Sequence, residues 1–341
     1  MWLILIFFYI FIVIVAIKRK KHSGTFLLLC FFLFFIAAFR NGDTVKDYTN
    51  YINMYNIIDQ LNFFNVEPTF IFITKIVKLL FNQPLFLFII YALLGVALKC
   101  KAIKDLSDFR FLSLLIYISN FFLLQEMTQI RVGVAAGFML MAIKPVFERD
   151  LKQFFCYALL AFLFHYSAIL VFGFWFLPIH NINRRFYALL IPVAYLLYCC
   201  NISLTSLVEL IPIPVLQNKI HVYKILMKQE NLPINVFNVL QLMRCGLAFI
   251  FLWKLPLLTQ CNRYVPILLQ CYVWAIVFLV IFSDLPVFAF RISEIIGCVE
   301  IILVPCIYYI FKQKQVAVAT ISALGFGVLL LNLFYNKLII I

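Results

Sequence analysis

Long uninterrupted apolar stretches constrain this chain more than any other feature of its sequence. Of its 341 residues, 66% are hydrophobic and 12% are charged, whereas a soluble domain is about half apolar and a quarter charged. Apolar runs of about 15–20 residues recur along the chain, which suits helices that cross a bilayer core roughly 30 Å thick. Because the alternating strands of a membrane β-barrel do not occur, the sequence predicts an all-α fold. We expect a polytopic integral membrane helical bundle with roughly 10–12 transmembrane helices.

The charge pattern predicts how this bundle is oriented. The net charge of +14 indicates topology rather than nucleic-acid binding, because cytoplasmic loops collect Lys and Arg. The basic run 18–21 follows the first apolar stretch, which predicts an N-terminus outside and no cleavable signal peptide. With basic loops placed inside, residues 1–341 form a single membrane domain with external loops near 40–66 and 201–238. No soluble domain is expected.

Two apolar stretches complicate this alternation. Residues 69–81 and 85–98 lie between an external loop and a basic cluster that includes Lys99, so two crossings would leave that cluster outside. Lys75 and Lys78 lie three residues apart on one helical face, which favours a short interfacial or re-entrant helix near 69–81. An ordinary hairpin that overrides the charge rule is the alternative. The stretch 154–177 predicts a broken or tightly turned pair of helices.

Common binding fingerprints do not occur in this sequence. The ten Cys form no C-x-x-C pair, and the four His have no metal-ligand spacing. A Walker loop and a G-x-G-x-x-G motif are also missing. The sequence therefore predicts no metal site, no cofactor and no nucleic-acid partner.

Polar side chains gather near the external ends of the predicted helices, although more than 200 residues separate the first from the last. These candidates are Arg40, Asp43, Asp47, Tyr48, Tyr51, Asn53, Glu67, Gln125, Glu126, Gln129, Arg131, His165, Asp284, Arg291 and Glu294. Each has a plainer interpretation. Lone arginines at helix ends can snorkel to headgroups, tyrosines can form an interfacial belt, and Asp43 can serve only as a turn residue. His165 can be a hydrogen-bonded core histidine. Glu300 is expected inside a helix, and with His165 and Glu294 it makes up the expected set of buried ionisable groups.

The order of several short motifs resembles the Wzy/EpsG-type polysaccharide polymerase family, over about residues 40–300. The motifs are Arg40-x-Gly with Tyr48-x-x-Tyr51, Gly42-Asp43 and Asp47-Tyr48, Glu67-Pro-Thr-Phe70, Gln129-Ile-Arg131 through Ala135, Phe164-His165-Tyr-Ser167-Ala168, and Arg291-Ile. The resemblance implies a metal-independent glycosyltransferase in the bacterial inner (cytoplasmic) membrane, with a periplasmic active face. Such an enzyme transfers a glycan chain from undecaprenyl diphosphate onto a lipid-linked oligosaccharide repeat unit, making O-antigen for lipopolysaccharide, capsule or exopolysaccharide.

The resemblance also implies roles for the matching residues. Arg131, Arg291 and Arg40 are expected to bind the diphosphate. His165 is the first choice for a general base, with Asp43, Asp47 and Glu67 as alternatives. Tyr48, Tyr51, Asn53 and Gln129 are expected to bind sugar. The expected partners are the undecaprenyl-diphosphate-linked oligosaccharide and membrane lipids, together with a chain-length regulator and a flippase.

Two other classes of protein stay open on the sequence. A polyprenyl-linked oligosaccharide flippase or transporter would carry charged residues inside many helices, of which few are expected here. Another lipid-linked membrane glycosyltransferase would fit an external loop that carries an acid. A membrane acyltransferase fits less well, because no Asn lies close to His165 in sequence.

Overall fold

The computed structural model describes residues 2–17, 23–42, 45–64, 66–179, 182–202, 217 and 234–339. Within these ranges the chain is helical, and the sole strand-like pairing is an isolated antiparallel bridge between Val45 and Ile339. This confirms the all-α prediction. The α-helices are α1 (Trp2–Ile17), α2 (Ser23–Ala38), α3 (Tyr48–Asn56), α4 (Pro68–Leu80), α5 (Pro84–Leu106), α6 (Arg110–Ile116), α7 (Ile130–Glu148), α8 (Leu151–Phe164), α9 (Arg184–Cys199), α10 (Val239–Cys261), α11 (Val265–Ile281), α12 (Pro286–Gly297), α13 (Glu300–Leu303), α14 (Ile307–Ile310) and α15 (Lys314–Leu330).

Wider and tighter turns extend several of these helices. A π-helix over Tyr117–Thr128 continues α6, and another over Leu331–Tyr335 continues α15. A 3₁₀-helix over Tyr166–Phe176 follows α8, and a single 3₁₀ turn links α13 to α14. By length and composition, five of the described helices can cross a membrane, and five more are apolar but shorter. The predicted polytopic membrane bundle is confirmed.

Side-chain caps fix where three of the helices begin. Asp150, Asn183 and Asn238 each accept a hydrogen bond from the backbone N–H three residues later, at 3.0–3.1 Å. These caps satisfy backbone donors that have no partner in the first turn of a helix. The polar residues between apolar runs therefore set the boundaries of α8, α9 and α10.

Long-range contacts define two ends of the bundle. At one end Arg40 Nη1 donates to the Met127 carbonyl at 2.6 Å and Glu67 pairs with Arg131. At the other end Asn262 Nδ2 donates to the Asp108 carboxylate at 3.0 Å. We call these the Arg131 end and the Asp108 end. Helix α5 runs from the first to the second, and α10 does the same.

Helix α4 lies along the Arg131 end and does not cross. Its 13 residues span about 20 Å, less than the apolar core of a bilayer. Glu67, just before its first residue, pairs with Arg131, while Lys78 in its last turn lies 3.4 Å from Asp59. Both ends of α4 therefore stay near the same loop, which confirms the predicted short helix near 69–81.

The predicted broken pair at 154–177 is also confirmed. Helix α8 ends at Phe164, His165 has extended backbone, and the 3₁₀-helix runs back. Arg149 donates to the carbonyls of Trp175 and Leu177, the latter at 2.9 Å, so the start of α8 and the end of the 3₁₀-helix lie together at one end. His165 consequently stands at the tip of a helical hairpin.

Two predicted features lie largely outside the described residues. The external loop at 201–238 is described only at 201–202, 217 and 234–238, and the basic run 18–21 is not described. Asp43 also lies outside the described ranges.

Candidate functional site

Polar side chains from several helices converge at the Arg131 end. Arg40 follows α2, Glu67 precedes α4, Gln125 and Gln129 lie at the end of the π-helix and just beyond it, Arg131 opens α7, and Arg291 lies on α12. Because helix ends in a membrane bundle meet at its two faces, residues far apart in sequence share one polar rim. The structure brings these predicted residues to one end of the bundle.

Glu67 and Arg131 form the ion pair nearest the centre of this cluster. The Glu67 side chain is 1% exposed and the Arg131 side chain 21% exposed. Glu67 has extended backbone before Pro68 and makes no side-chain cap to α4, and its carboxylate faces Arg131. The Arg131 guanidinium also lies 5.8 Å from the Tyr51 ring and 5.4 Å from the Phe70 ring. Arg131 is thus held by one charge and two aromatic faces.

A second ion pair on α12 joins the cluster through two glutamines. Arg291 Nη1 lies 3.1 Å from Glu294 Oε2, one helical turn away. Gln125 Nε2 donates to the Glu294 backbone carbonyl at 3.0 Å, and the Gln129 side chain lies near the Glu294 carboxylate. Gln125 and Gln129 therefore connect α12 to the segment that leads into Arg131.

Arg40 differs from the other two arginines because no acid neutralises it among the described residues. Its Nε donates to the Ala37 carbonyl at 2.8 Å and its Nη1 to Met127, while Nη2 is buried without a hydrogen-bond partner. The guanidinium lies 4.9 Å from the Phe88 ring. Burial lowers the pKa of Arg40 to about 10, although the nearby Glu126 charge opposes this shift. Arg40 therefore stays protonated at neutral pH while only 7% exposed.

The predicted sugar-binding residues divide into two groups. Tyr48 stacks on Phe88 with ring centroids 4.7 Å apart, and Tyr51 meets the same ring edge-on at 6.3 Å. Both tyrosines thus lie beside Arg40 and Arg131. Asn53 is exposed two residues after the buried Tyr51, which puts it on the other side of α3.

Asp47 lies away from this arrangement as well. It has a left-handed backbone at φ 64° before α3, and its carboxylate accepts a hydrogen bond of 3.4 Å from Asn50. Its described contact is therefore local to α3, and the predicted role of Asp47 as a base stays a prediction.

His165 is anchored close to the Glu67 segment by its neighbours. Leu163 accepts a hydrogen bond from Thr69 at 2.8 Å, and the Tyr166 hydroxyl donates to the Phe63 carbonyl at 2.8 Å. The imidazole Nδ1 accepts from the Ser167 N–H at 3.2 Å. This hydrogen bond orients the ring at the tip of the hairpin. Leu163, which contacts Thr69 in the first turn of α4, lies two residues before His165.

Two ion pairs within the helices contradict the sequence expectations. Lys99, expected in a cytoplasmic loop, is fully buried and pairs with Glu126. Helix α5 continues to Leu106, and helical side chains tilt back toward the N-terminus, so the ammonium lies deep in the bundle. The expectation that Glu300, His165 and Glu294 make up the buried ionisable groups was therefore wrong.

The second pair joins Arg244 of α10 to Glu300. Arg244 Nε lies 2.6 Å from Glu300 Oε1, and both side chains are largely buried. Sequence reasoning identified the acid but missed its partner. The available signal was an arginine within an apolar stretch long enough to cross, because an ionisable group at that position needs a partner.

A cavity of about 930 Å³ lies at the Asp108 end and not at this cluster, and its lining includes Lys104, Asp108, Arg110, Asn262 and Tyr309. We place the candidate site at the Arg131 end despite that cavity, because the predicted charged residues converge there and a binding site can be open to the bilayer without enclosing a volume. Within the described ranges, no three His, Cys, Asp or Glu side chains converge as a metal site would require.

These observations define a multi-pass membrane protein with an arginine-rich polar site at one end of its helical bundle. The family model for the EpsG family matches residues 23–339. The chain therefore belongs to the EpsG family, which confirms the family resemblance and supports a role of the polysaccharide polymerase type. No curated protein and no solved structure matches the chain.

Proposed function

We propose that this protein is an inner-membrane polysaccharide polymerase that acts at the Arg131 end. The donor is a glycan chain on undecaprenyl diphosphate, and the acceptor is a hydroxyl of a lipid-linked repeat unit. A new glycosidic C–O bond forms at the donor's anomeric carbon as the bond to the diphosphate oxygen breaks. The acceptor's hydroxyl proton passes to a base, and the lipid diphosphate leaves.

The surplus charge at Arg40 carries this proposal. Glu67 and Glu294 balance Arg131 and Arg291, whereas Arg40 makes no ion pair with any described residue. Its buried Nη2 also lacks a hydrogen-bond partner there, as does Arg131 Nε. A buried unpaired cation is costly, and an anionic ligand would remove that cost. A lipid diphosphate supplies this charge, and its oxygens suit the fork geometry of arginine.

The neighbouring arginines extend the same binding surface. Arg131 and Arg291 are 21–24% exposed on their side chains, so each can offer further N–H donors to a ligand while keeping its carboxylate partner. Donors aimed at the leaving diphosphate stabilise the charge that develops as the glycosidic bond breaks. We propose that these three guanidinium groups do the work of a metal ion, which would make the transfer metal-independent.

We propose His165 as the base, because it lies at the tip of the hairpin beside the Glu67 segment. Its Nδ1 accepts from the Ser167 N–H, so in the neutral ring Nδ1 carries the lone pair and is the atom that would take the proton in place of that hydrogen bond. Glu67 is 1% exposed and already paired with Arg131, so it serves better to hold Arg131. Tyr48 and Tyr51 would provide stacking faces for sugar rings, with Gln129 as a hydrogen-bonding group.

The sidedness of the reaction follows from the charge pattern. Basic residues such as Lys104, Arg110 and Arg263 lie at the Asp108 end, and basic loops stay in the cytoplasm. We therefore propose that the Arg131 end faces the periplasm, where lipid-linked repeat units are available after they have crossed the membrane. A flippase and a chain-length regulator would be the functional partners.

The test is complementation of cells that lack this protein and depend on it for a surface polysaccharide. Arg40→Ala should abolish long chains and leave single repeat units, as deletion of the protein should. Lys46→Ala is the matched control, because it removes a nearby exposed cation whose described partner is the Asn336 carbonyl, 2.8 Å away. Long chains at normal abundance with Arg40→Ala would contradict the proposal.

A lipid-linked oligosaccharide transporter is the second candidate. The buried pairs Lys99–Glu126 and Arg244–Glu300 favour it, because charged groups inside a bundle often mark a transport pathway. The two functions differ in where material accumulates. Loss of a transporter leaves lipid-linked units on the cytoplasmic side, whereas loss of a polymerase leaves single units outside.

A further inference from the structure

Arg244 bridges two segments that flank a break in a membrane helix. Helix α12 ends at Gly297 and α13 begins at Glu300. Arg244 Nη1 donates to Ser293 Oγ at 3.0 Å, before the break. Its Nε donates to Glu300 Oε1 at 2.6 Å, after the break. The Arg244 side chain on α10 thus contacts the segments on both sides of the break.

Gly297 makes room for this guanidinium. A Cβ atom at Gly297 would lie 3.5 Å from Arg244 Cζ and nearer still to Nη2. Arg244 therefore packs directly against the backbone of the break. The Tyr272 ring, 5.7 Å from the guanidinium carbon, covers it from α11.

The segment that Arg244 holds carries part of the candidate site. Ser293 lies next to Glu294, whose carboxylate pairs with Arg291, two residues before Ser293. A shift of α12 at its break would move Arg291 relative to Arg131 and Arg40. Apolar residues of similar volume could fill the Arg244–Glu300 space with equal stability, so stability alone does not explain a buried ion pair here.

We infer that Arg244 is a positioning residue, which fixes α12 so that Arg291 faces the lipid diphosphate. This inference rests on the proposed function. Arg244 does not itself contact the substrate, and it acts through Ser293 and Glu300. An error of about 1 Å in the placement of a binding group can lower a rate by about a hundredfold.

The first experiment measures polymer in cells that carry Arg244→Ala or Arg244→Lys, with membrane abundance quantified by mass spectrometry. We expect Arg244→Ala to lower polymer by about tenfold to a hundredfold at unchanged abundance. Arg244→Lys should recover part of this loss, because lysine can pair with Glu300 but cannot fork to Ser293 as well. Lys254→Ala, which removes a cation from the same helix, should leave polymer unchanged.

The second experiment separates positioning from general stability by combining Arg244→Ala with Arg291→Lys, a variant expected to keep part of the activity. If Arg244 acts through Arg291, the loss caused by Arg244→Ala should shrink to less than about twofold in the Arg291→Lys background, because coupled sites are not additive. In the Arg40→Lys background the loss should keep its full size. An equal loss in both backgrounds, or a loss that follows abundance, would overturn the inference.

Gly297→Ala provides an independent test, because it keeps every charged group and pushes Arg244 away from the break. It should reproduce the Arg244→Ala loss. Normal polymer with Gly297→Ala would also count against the inference. A failure of the proposed function itself would look different, because deletion of the whole protein would then leave long chains intact or would leave lipid-linked units on the cytoplasmic side in place of single units outside.

Discussion

Replacing Gly95 with alanine should destabilise the bundle far more than the same change at Gly246. A Cβ atom at Gly95 would lie 2.8 Å from Glu126 Cδ and nearer still to Oε2. The carboxylate also packs against Gly133, where a Cβ atom would lie 2.9 Å from Oε2, and its Oε1 is held by Lys99. The added methyl group must therefore displace Glu126 from Lys99.

The size of the effect follows from the burial of that ion pair. Lys99 and Glu126 are at most 1% exposed, and breaking a buried pair costs about 3–5 kcal/mol because a charge is left uncompensated. Alanine gains about 0.5–1 kcal/mol over glycine within a helix. The net loss should be about 2–4 kcal/mol.

Gly246 offers the matched control, because nothing lies within 4 Å of its would-be Cβ and it also lies within a membrane helix, α10. Unfolding of the purified proteins would be followed by titration with sodium dodecyl sulfate in mixed micelles. Gly246→Ala should match or exceed the natural protein, while Gly95→Ala should unfold at a clearly lower detergent fraction.

A compensating change tests the cause directly. Aspartate at position 126 is one methylene shorter, so Glu126→Asp should make room for the new methyl group at Gly95. Adding Gly95→Ala to Glu126→Asp should then cost much less than Gly95→Ala alone. Equal stability of Gly95→Ala and Gly246→Ala would refute the reasoning about the buried pair.

Three further predictions concern the candidate site and its orientation. Arg40→Lys should show polymer synthesis that falls as pH rises above neutrality in isolated membranes, because burial lowers the pKa of lysine and deprotonation removes the required cation. The natural protein should be flat between neutral pH and about pH 9, since the pKa of Arg40 is about 10. Glu67→Gln should lower thermal stability by about 3–5 kcal/mol, because Arg131 loses its charged partner. The double variant with Glu67→Gln and Arg131→Met should recover stability without recovering polymer. An unchanged melting temperature in Glu67→Gln would contradict the pairing. A membrane-impermeant thiol reagent added outside the cell should label the Asn53→Cys variant above the background of the native cysteines. It should not label the Arg263→Cys variant above that background. The reverse pattern would contradict the proposed sidedness.

A metal chelator provides a separate check on the chemistry. Polymer synthesis in isolated membranes should persist after treatment with EDTA, because guanidinium groups supply the positive charge that stabilises the leaving diphosphate. Full loss of synthesis, restored by added Mg²⁺, would contradict the proposed metal independence.

The sequence was sufficient to predict the helical bundle, because apolar length and charge placement act locally. Lys75 and Lys78 on one face of a short apolar stretch predicted a helix that does not cross, and α4 is that helix. The same local signals placed Glu67 and Arg131 on one side of the membrane. They could not predict that the two side chains pair, because that contact depends on how α4 packs against α7.

Buried ion pairs were the main failure for the same physical reason. Arg244 and Glu300 are separated by 56 residues, and Lys99 and Glu126 by 27. The sequence placed Lys99 in a loop, Glu126 near an external helix end and Glu300 inside a helix, and only the packing of helices shows that two costly charges neutralise each other. The sequence also could not show that Arg40 Nη2 lacks a hydrogen-bond partner among the described residues, because that depends on how the chain folds.

The bridge between Val45 and Ile339, together with the hydrogen bond from Lys46 to Asn336, has a practical consequence. It fastens the segment that follows α15 to the loop leading into Tyr48, so a domain attached after Ile339 would lie at the Arg131 end. On the proposed sidedness, an alkaline phosphatase fused there should be active and a green fluorescent protein dark. Affinity handles are better inserted in the turns at the Asp108 end, away from the candidate site.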